Sequence, residues 1–149
     1  MTEVRHAMAT WSGDLASGAG TIDYVSSGAF SRMPVTWASR TSAHNGKTSP
    51  EELLAAAHAA CFSMAFSARL GKNGTPAAKL SVKVEITFDN PSGAGWKVTK
   101  SHISVDGDVP GIDAAKFAEL ADDAKDNCPI SVAIKGNVEI SVEARLVSS

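Results

Sequence analysis

Three stretches of the chain alternate apolar and polar residues with a period of two. Leu80-Ser81-Val82-Lys83-Val84-Glu85-Ile86-Thr87-Phe88 and Trp96-Lys97-Val98-Thr99-Lys100-Ser101-His102-Ile103-Ser104-Val105 flank the turn sequence Asn90-Pro91-Ser92-Gly93-Ala94-Gly95. They read as half-buried strands of an antiparallel hairpin. Residues 137–147 alternate again, through Val138, Ile140, Val142, Ala144 and Leu146, and predict a closing strand. Nearer the start, residues 5–11, 21–26 and 33–41 read as shorter strands separated by Gly- and Ser-containing turn clusters. Pro34 assigns the third of these to a sheet edge or a strand start.

Between the two groups lies a run that keeps to no single stripe. From residue 53 to residue 68 most positions are apolar or small, and Ala, Leu, Met and Glu supply strong helix propensity. Ser49 predicts the N-cap, Pro50 the first helical position, and Glu52 the return bond of a capping box. The helix is expected to run from Pro50 to about Leu70 and to end at Gly71 and Gly74. A helix apolar on most sides is expected to be buried on most sides. After the hairpin, Asp113 predicts the cap of an amphipathic helix carrying Phe117, Leu120, Ala121 and Ala124, and Cys128-Pro129 opens a short third helix.

Strands joined by short turns favour antiparallel pairing. The pattern therefore predicts an α+β protein with an antiparallel sheet packed on a long buried central helix, and residues 1–149 forming one domain. A chain of 149 residues has limited means to cover such a helix on all sides. Its alanines would let another helix approach closely, which predicts a homodimer that sandwiches the central helices between two sheets.

A formal net charge of -2 offers no basic footprint for nucleic acid. The first residues carry no apolar run of the signal-peptide kind, and His58 interrupts an Ala-rich run with a weak insertion drive. The expectation is a protein of the cytoplasm that does not span a membrane. In that reducing compartment, Cys61 and Cys128 read as catalytic, metal-binding or simply buried rather than as a permanent bridge.

Each candidate residue has a bland reading beside a functional one. A cysteine in the middle of an apolar helix is commonly inert, and Cys61 would need a neighbouring cation, best an arginine, to ionise. Cys128 stands at a helix start, where backbone N–H groups favour an anion, so helix physics selects it as the more reactive thiol. His58 and Cys61 share a helix face and could join Cys128 and His44 or His102 around zinc. No C-x-x-C or H-x-x-x-H spacing supports that site, and a hydrogen-bonded core histidine is the simpler reading of His58. Glu52 is used by the cap. Glu51 is not, and it can hold an arginine, of which Arg40 is the nearest in sequence. A non-catalytic small-molecule-binding module with two buried, inert cysteines remains the alternative to an enzyme.

The segment from Thr48 through Ser49-Pro50-Glu51-Glu52-Leu53-Leu54-Ala55-Ala56-Ala57-His58-Ala59-Ala60-Cys61 to Phe62-Ser63-Met64-Ala65 resembles the helix signature of the OsmC/Ohr family, on the OsmC side. Trp11-Ser12-Gly13-Asp14, Val109-Pro110-Gly111-Ile112-Asp113 and Ala124-Lys125-Asp126-Asn127-Cys128-Pro129-Ile130-Ser131 extend the resemblance over the chain. It implies an OsmC-like fold in an intertwined homodimer and a thiol peroxidase that reduces organic hydroperoxides, and hydrogen peroxide less well. It implies Cys61 as the peroxidatic thiol, Cys128 as the resolving thiol, Arg40 as the thiolate-stabilising arginine and Glu51 as the carboxylate that holds it. No metal or other cofactor is implied, because sulfur carries both electrons; the implied partners are the hydroperoxide and a dithiol reductant, a small thiol or a lipoylated protein. Leu54, Phe62 and Met64 are the apolar candidates beside an alkyl group. Glu51 and Cys61 lie ten positions apart, about 15 Å along one helix and roughly 80° around it. That separation predicts a site completed in trans, Arg40 and Glu51 of one chain serving Cys61 and Cys128 of the other.

Overall fold

The computed structural model of the chain describes residues 1–148. They fall into two compact units, residues 1–53 and residues 54–148. In the first, β1 (Ala7–Ser12), β2 (Ala19–Val25) and β3 (Ser31–Val35) form an antiparallel sheet in the order β1-β2-β3. Pro34 lies in β3, an edge strand, where its missing N–H costs no ladder bond. Trp11 of β1 faces Gly20 of β2, and a Cβ at Gly20 would come within 2.6 Å of the indole, so only glycine lets the ring lie flat there.

The third strand is shorter than its composition predicts. It stops at Val35, and Trp37–Thr41 is a helical turn, α1, rather than the end of a strand reaching residue 41. The cause is local. The Thr36 hydroxyl accepts the Ser39 N–H at 3.1 Å, and the Ser39 hydroxyl accepts the Thr36 N–H at 3.1 Å. This reciprocal box makes a helix start, against which the strand propensity of Val35, Thr36 and Trp37 carries little weight.

Helix α2 (Pro50–Lys72) begins in the first unit and continues through the second. Ser49 caps it by accepting the Glu52 N–H at 3.1 Å. Glu52 does not return the bond; its carboxylate accepts the Thr48 hydroxyl at 2.9 Å instead, so the expected capping box is half made. Past the end of α2, Gly74 takes a φ of 79° and the Thr75 N–H returns to the Leu70 carbonyl at 3.0 Å, closing the helix in the left-handed manner that glycine permits. By length and composition α2 is long and apolar enough to cross a membrane, yet His58, Phe62, Phe66 and Leu70 are fully buried within the chain.

In the second unit β4 (Lys79–Asp89) and β5 (Lys97–Asp108) form the expected antiparallel hairpin. Helices α3 (Ala114–Asn127) and α4 (Pro129–Ile134) follow, and β6 (Glu139–Ser148) closes the sheet in the order β4-β5-β6. Asp113 caps α3 by accepting the Lys116 N–H at 2.8 Å. β6 pairs with β5 in parallel, so the single antiparallel sheet of the sequence reading is in fact two sheets, one of them mixed. The two helices between β5 and β6 form the crossover that a parallel pair requires.

The core of this unit gathers Phe62, Phe66 and Leu70 of α2, Ile103 and Val105 of β5, Phe117, Ala121 and Ala124 of α3, and Cys128. Phe66 packs its ring 5.5 Å from Phe62 and 5.0 Å from Phe117, and each fully buried ring is worth about 2–3 kcal/mol. From His58 onward the buried residues of α2, Phe62, Phe66 and Leu70, recur every four positions. On the opposite side Ala56, Ala57, Ala60, Met64 and Ala68 are exposed, Met64 by 70%. Within one chain, α2 is therefore buried on one face and open on the other, not buried on most sides.

Candidate active site

Two pairs of the candidate side chains are assembled, one in each unit. Arg40 lies in α1 and Glu51 in the first turn of α2. The Arg40 Nε donates to both carboxylate oxygens of Glu51 at 3.2 Å, and Nη2 donates to Oε1 at 2.6 Å. The Trp37 ring lies under the guanidinium, 5.5 Å from its Cζ, adding a cation–π contact. The planar fork of arginine suits this arrangement in a way that lysine would not.

What brings the two residues together is Ser39, which is 2% exposed. Its one hydroxyl proton is shared between the Thr36 carbonyl at 2.8 Å and the Thr48 carbonyl at 2.9 Å, while the Thr48 N–H donates to the Pro34 carbonyl at 3.0 Å. The polar loop 42–47 is thereby closed at its base, with α1 fastened to the residue before the α2 cap. Sequence reading missed Ser39; the signal available was the T-x-x-S spacing of a helix start inside an apparent strand.

Beside Arg40 the first unit carries an apolar cleft of about 340 Å³, lined by Trp11, Leu15, Val35, Thr36, Trp37, Arg40 and Pro50. None of the three apolar candidates named from the sequence lines it. Phe62 is sealed in the core and Met64 points to solvent.

In the second unit Cys61 and Cys128 meet. Cys61 is half-buried in the middle of α2, and Cys128 is fully buried where α3 ends and α4 begins. The Cys128 thiol donates to the Cys61 sulfur across 2.9 Å. Burial above all, then the neighbouring Cys128 thiol, push the Cys61 thiol above its ordinary value, and a bond from the Ile130 backbone N–H pulls the other way. His58, one turn before Cys61, is fully buried. Its Nδ1 lies 2.7 Å from the Ser101 hydroxyl and its Nε2 lies 2.7 Å from the Ser131 hydroxyl. It is a hydrogen-bonded core histidine, and burial holds its pKa below the usual imidazole value. Both its nitrogens are engaged by serines and His102 Nδ1 is engaged by Ser141. Among the described residues no group of three His, Cys, Asp or Glu side chains is placed to hold a metal ion.

Residues 43–143 match the model of the OsmC-like protein family, and the chain belongs to that family. It is 35% identical to Peroxiredoxin OsmC of Escherichia coli strain K12, over 97% of this chain and 99% of that one. Over 64% of this chain it is 35% identical to the organic hydroperoxide resistance protein of Xanthomonas axonopodis pv. citri, covering 65% of that protein. Its fold superposes on the crystal structure of the organic hydroperoxide resistance protein OhrB of Bacillus subtilis with a TM-score of 0.71 and 26% identity, covering 94% of this chain and 98% of that chain. An organic hydroperoxide resistance protein from Elizabethkingia anophelis shares the fold at a TM-score of 0.73 and 20% identity, covering 98% and 99% of the two chains. The α+β, OsmC-like fold expected from the helix signature is the one observed.

Proposed function

We propose that the protein is a thiol-dependent peroxidase that reduces organic hydroperoxides to alcohols, and hydrogen peroxide less well, with Cys61 peroxidatic and Cys128 resolving. One observation carries this reading: two thiols 67 positions apart in sequence, one of them half-exposed, with their sulfurs at 2.9 Å. The 35% identity to Peroxiredoxin OsmC over nearly the whole chain supports it.

The Cys61 thiolate attacks the distal peroxide oxygen. The O–O bond breaks, the leaving alkoxide takes a proton and departs as the alcohol, and Cys61 becomes a sulfenic acid. The Cys128 thiol then attacks that sulfur; the S–O bond breaks and the oxygen leaves as water with the thiol proton. The disulfide so formed needs the sulfurs about 0.9 Å closer than they stand. A dithiol, small or carried as a lipoyl group on a protein, resets the pair by exchange in the reducing cytoplasm. Sulfur supplies both electrons, so the sequence of steps calls on no metal, flavin or haem.

The thiol must ionise to react, and within one chain burial and Cys128 oppose this. In our reading the missing cation is Arg40 of the partner subunit, held and oriented by Glu51 of the partner subunit, in an intertwined homodimer. The open alanine face of α2 supports such a dimer, because small side chains admit a second helix at close range. Residues 1–149 then act as one domain, each chain lending its arginine pair to the other's thiols. The cleft lined by Trp11, Leu15 and Trp37 beside Arg40 has room for the alkyl group of the substrate. Titration of free thiols after one equivalent of an organic hydroperoxide tests the reading. The loss of two thiols per chain, recovered by a dithiol, is expected. Two unchanged thiols per chain would instead establish the module with inert cysteines.

A further inference from the structure

His58 serves none of the steps above, yet it is the most completely enclosed titratable side chain near the thiols. It lies one helical turn from Cys61 on the same face of α2. Its two nitrogens reach two different elements, Ser101 on β5 and Ser131 in the first turn of α4, each at 2.7 Å. Ser101 and Ser131 are themselves 0% and 2% exposed, so neither hydroxyl has water as a ready substitute.

The link to Ser131 bears on chemistry because of what else the start of α4 carries. Cys128, its N-cap residue, makes no side-chain capping bond; its backbone N–H donates to the Ala124 carbonyl at the end of α3 at 2.9 Å, so its anchor on the α4 side is the turn that Ser131 belongs to. Ile130, one residue before Ser131, aims its backbone N–H at the Cys61 sulfur. Helix α4 has six residues, too few to hold its own position. The imidazole of His58 fastens that turn to the same stretch of α2 that carries Cys61. A neutral ring suits the task, since it donates through one nitrogen and accepts through the other, and each serine hydroxyl can take the complementary role.

We propose that His58, acting through Ser131, is the positioning residue that holds Cys128 against Cys61 and so sets the efficiency with which the pair closes to a disulfide. The proposal rests on the peroxidase reading for its role in turnover, but the closure itself does not. In turnover the closing step is condensation of the Cys61 sulfenic acid with the Cys128 thiol, with water as the other product, in competition with a second hydroperoxide that would carry Cys61 to sulfinic acid.

The test is equilibration of the full-length protein with a glutathione redox buffer, which gives the effective concentration of one thiol at the other without any peroxide. Ser131→Ala is expected to lower it about tenfold, the factor that one lost buried hydrogen bond is worth. Ser101→Ala, which leaves the α4 link in place, is expected to stay near the parent value. His58→Gln, whose amide can reach toward Ser131, is expected to retain more of the effective concentration than His58→Ala; if His58→Ala fails to fold, the two serine variants decide. Unchanged closure in Ser131→Ala, or equal losses in both serine variants, overturns the proposal. In a second arm, Ser131→Ala should accumulate sulfinic acid on Cys61 over repeated hydroperoxide additions. A parent protein whose pair closes in glutathione but leaves hydroperoxide untouched would sink the peroxidase reading and leave the positioning role standing.

Discussion

The sulfurs of Cys61 and Cys128 lie 2.9 Å apart, although one residue sits mid-helix in α2 and the other is the N-cap of α4. Under the proposed mechanism the two thiols have unequal duties. Cys61→Ser is expected to abolish hydroperoxide consumption. Cys128→Ser should allow one rapid oxidation and then collect sulfenic and sulfinic acid at Cys61, read as added oxygen mass on that residue. If Cys128→Ser blocks the first oxidation and Cys61→Ser does not, the assignment is reversed.

The Arg40–Glu51 pair is expected to act on the thiol by charge. Glu51→Gln weakens the grip on the guanidinium, and Arg40→Met removes the cation, so both should raise the Cys61 pKa and slow its alkylation by iodoacetamide at neutral pH. Peroxidase kcat/KM should drop by about 10²-fold or more in Arg40→Met, the scale of removing one preorganised electrostatic contact. An alkylation rate indifferent to both substitutions would separate the pair from the thiol chemistry.

Completion of the site in trans is testable by subunit exchange. Cys61→Ser and Glu51→Ala chains are each expected to be inactive on their own. In a heterodimer, both lesions fall in one site and the other is whole, so random exchange of equal amounts should restore about one quarter of the parent activity. Heterodimers that form, as shown by mass spectrometry, but stay inactive would mean that each site is built within one chain.

Substrate preference should reside in the cleft of the first unit. Trp11 and Trp37 offer the largest apolar surfaces beside Arg40. Trp11→Ala is expected to lower kcat/KM for a bulky alkyl hydroperoxide by roughly tenfold or more, as expected from losing part of an aromatic contact, while leaving hydrogen peroxide turnover nearly unchanged. Equal losses for the two substrates would show that the ring supports the fold rather than the alkyl group.

His58 makes stability depend on pH with a definite sign. Burial lowers its pKa in the folded chain from the ordinary value of 6.5. The unfolded chain therefore takes up a proton that the folded chain resists. The stabilising contribution is complete above pH 6.5 and is lost as pH falls through the folded value. Thermal midpoints should decline between pH 7 and 5, and His58→Gln should flatten that decline. Parallel slopes for parent and variant would remove His58 as the cause.

The sequence alone determined the elements whose signals are local. The alternation from Leu80 to Phe88 and from Trp96 to Val105 specifies the hairpin, Asp113 and Ser49 cap the helices they precede, and Pro34 marks an edge. The helix signature around Cys61 was enough to place the chain in its family. Tertiary structure decided everything that depends on distant partners. Alternation in β6 buries one face whether its neighbour runs parallel or antiparallel, so only the α3–α4 crossover set its direction. Around Trp37 the strand propensity yielded to a signal that is itself local, the Thr36–Ser39 box, while the position of Arg40 also needed the Ser39 bond to the Thr48 carbonyl nine residues on. An Ala-rich helix looks apolar all round in a sequence, but whether a given alanine is covered depends on what packs there; Phe62, Phe66 and Leu70 found a core and Ala57, Ala60 and Met64 did not. The approach of Cys61 to Cys128 and the double engagement of His58 by Ser101 and Ser131 link residues 67, 43 and 73 positions apart. Neither periodicity nor propensity encodes such contacts, because both describe only neighbours along the chain.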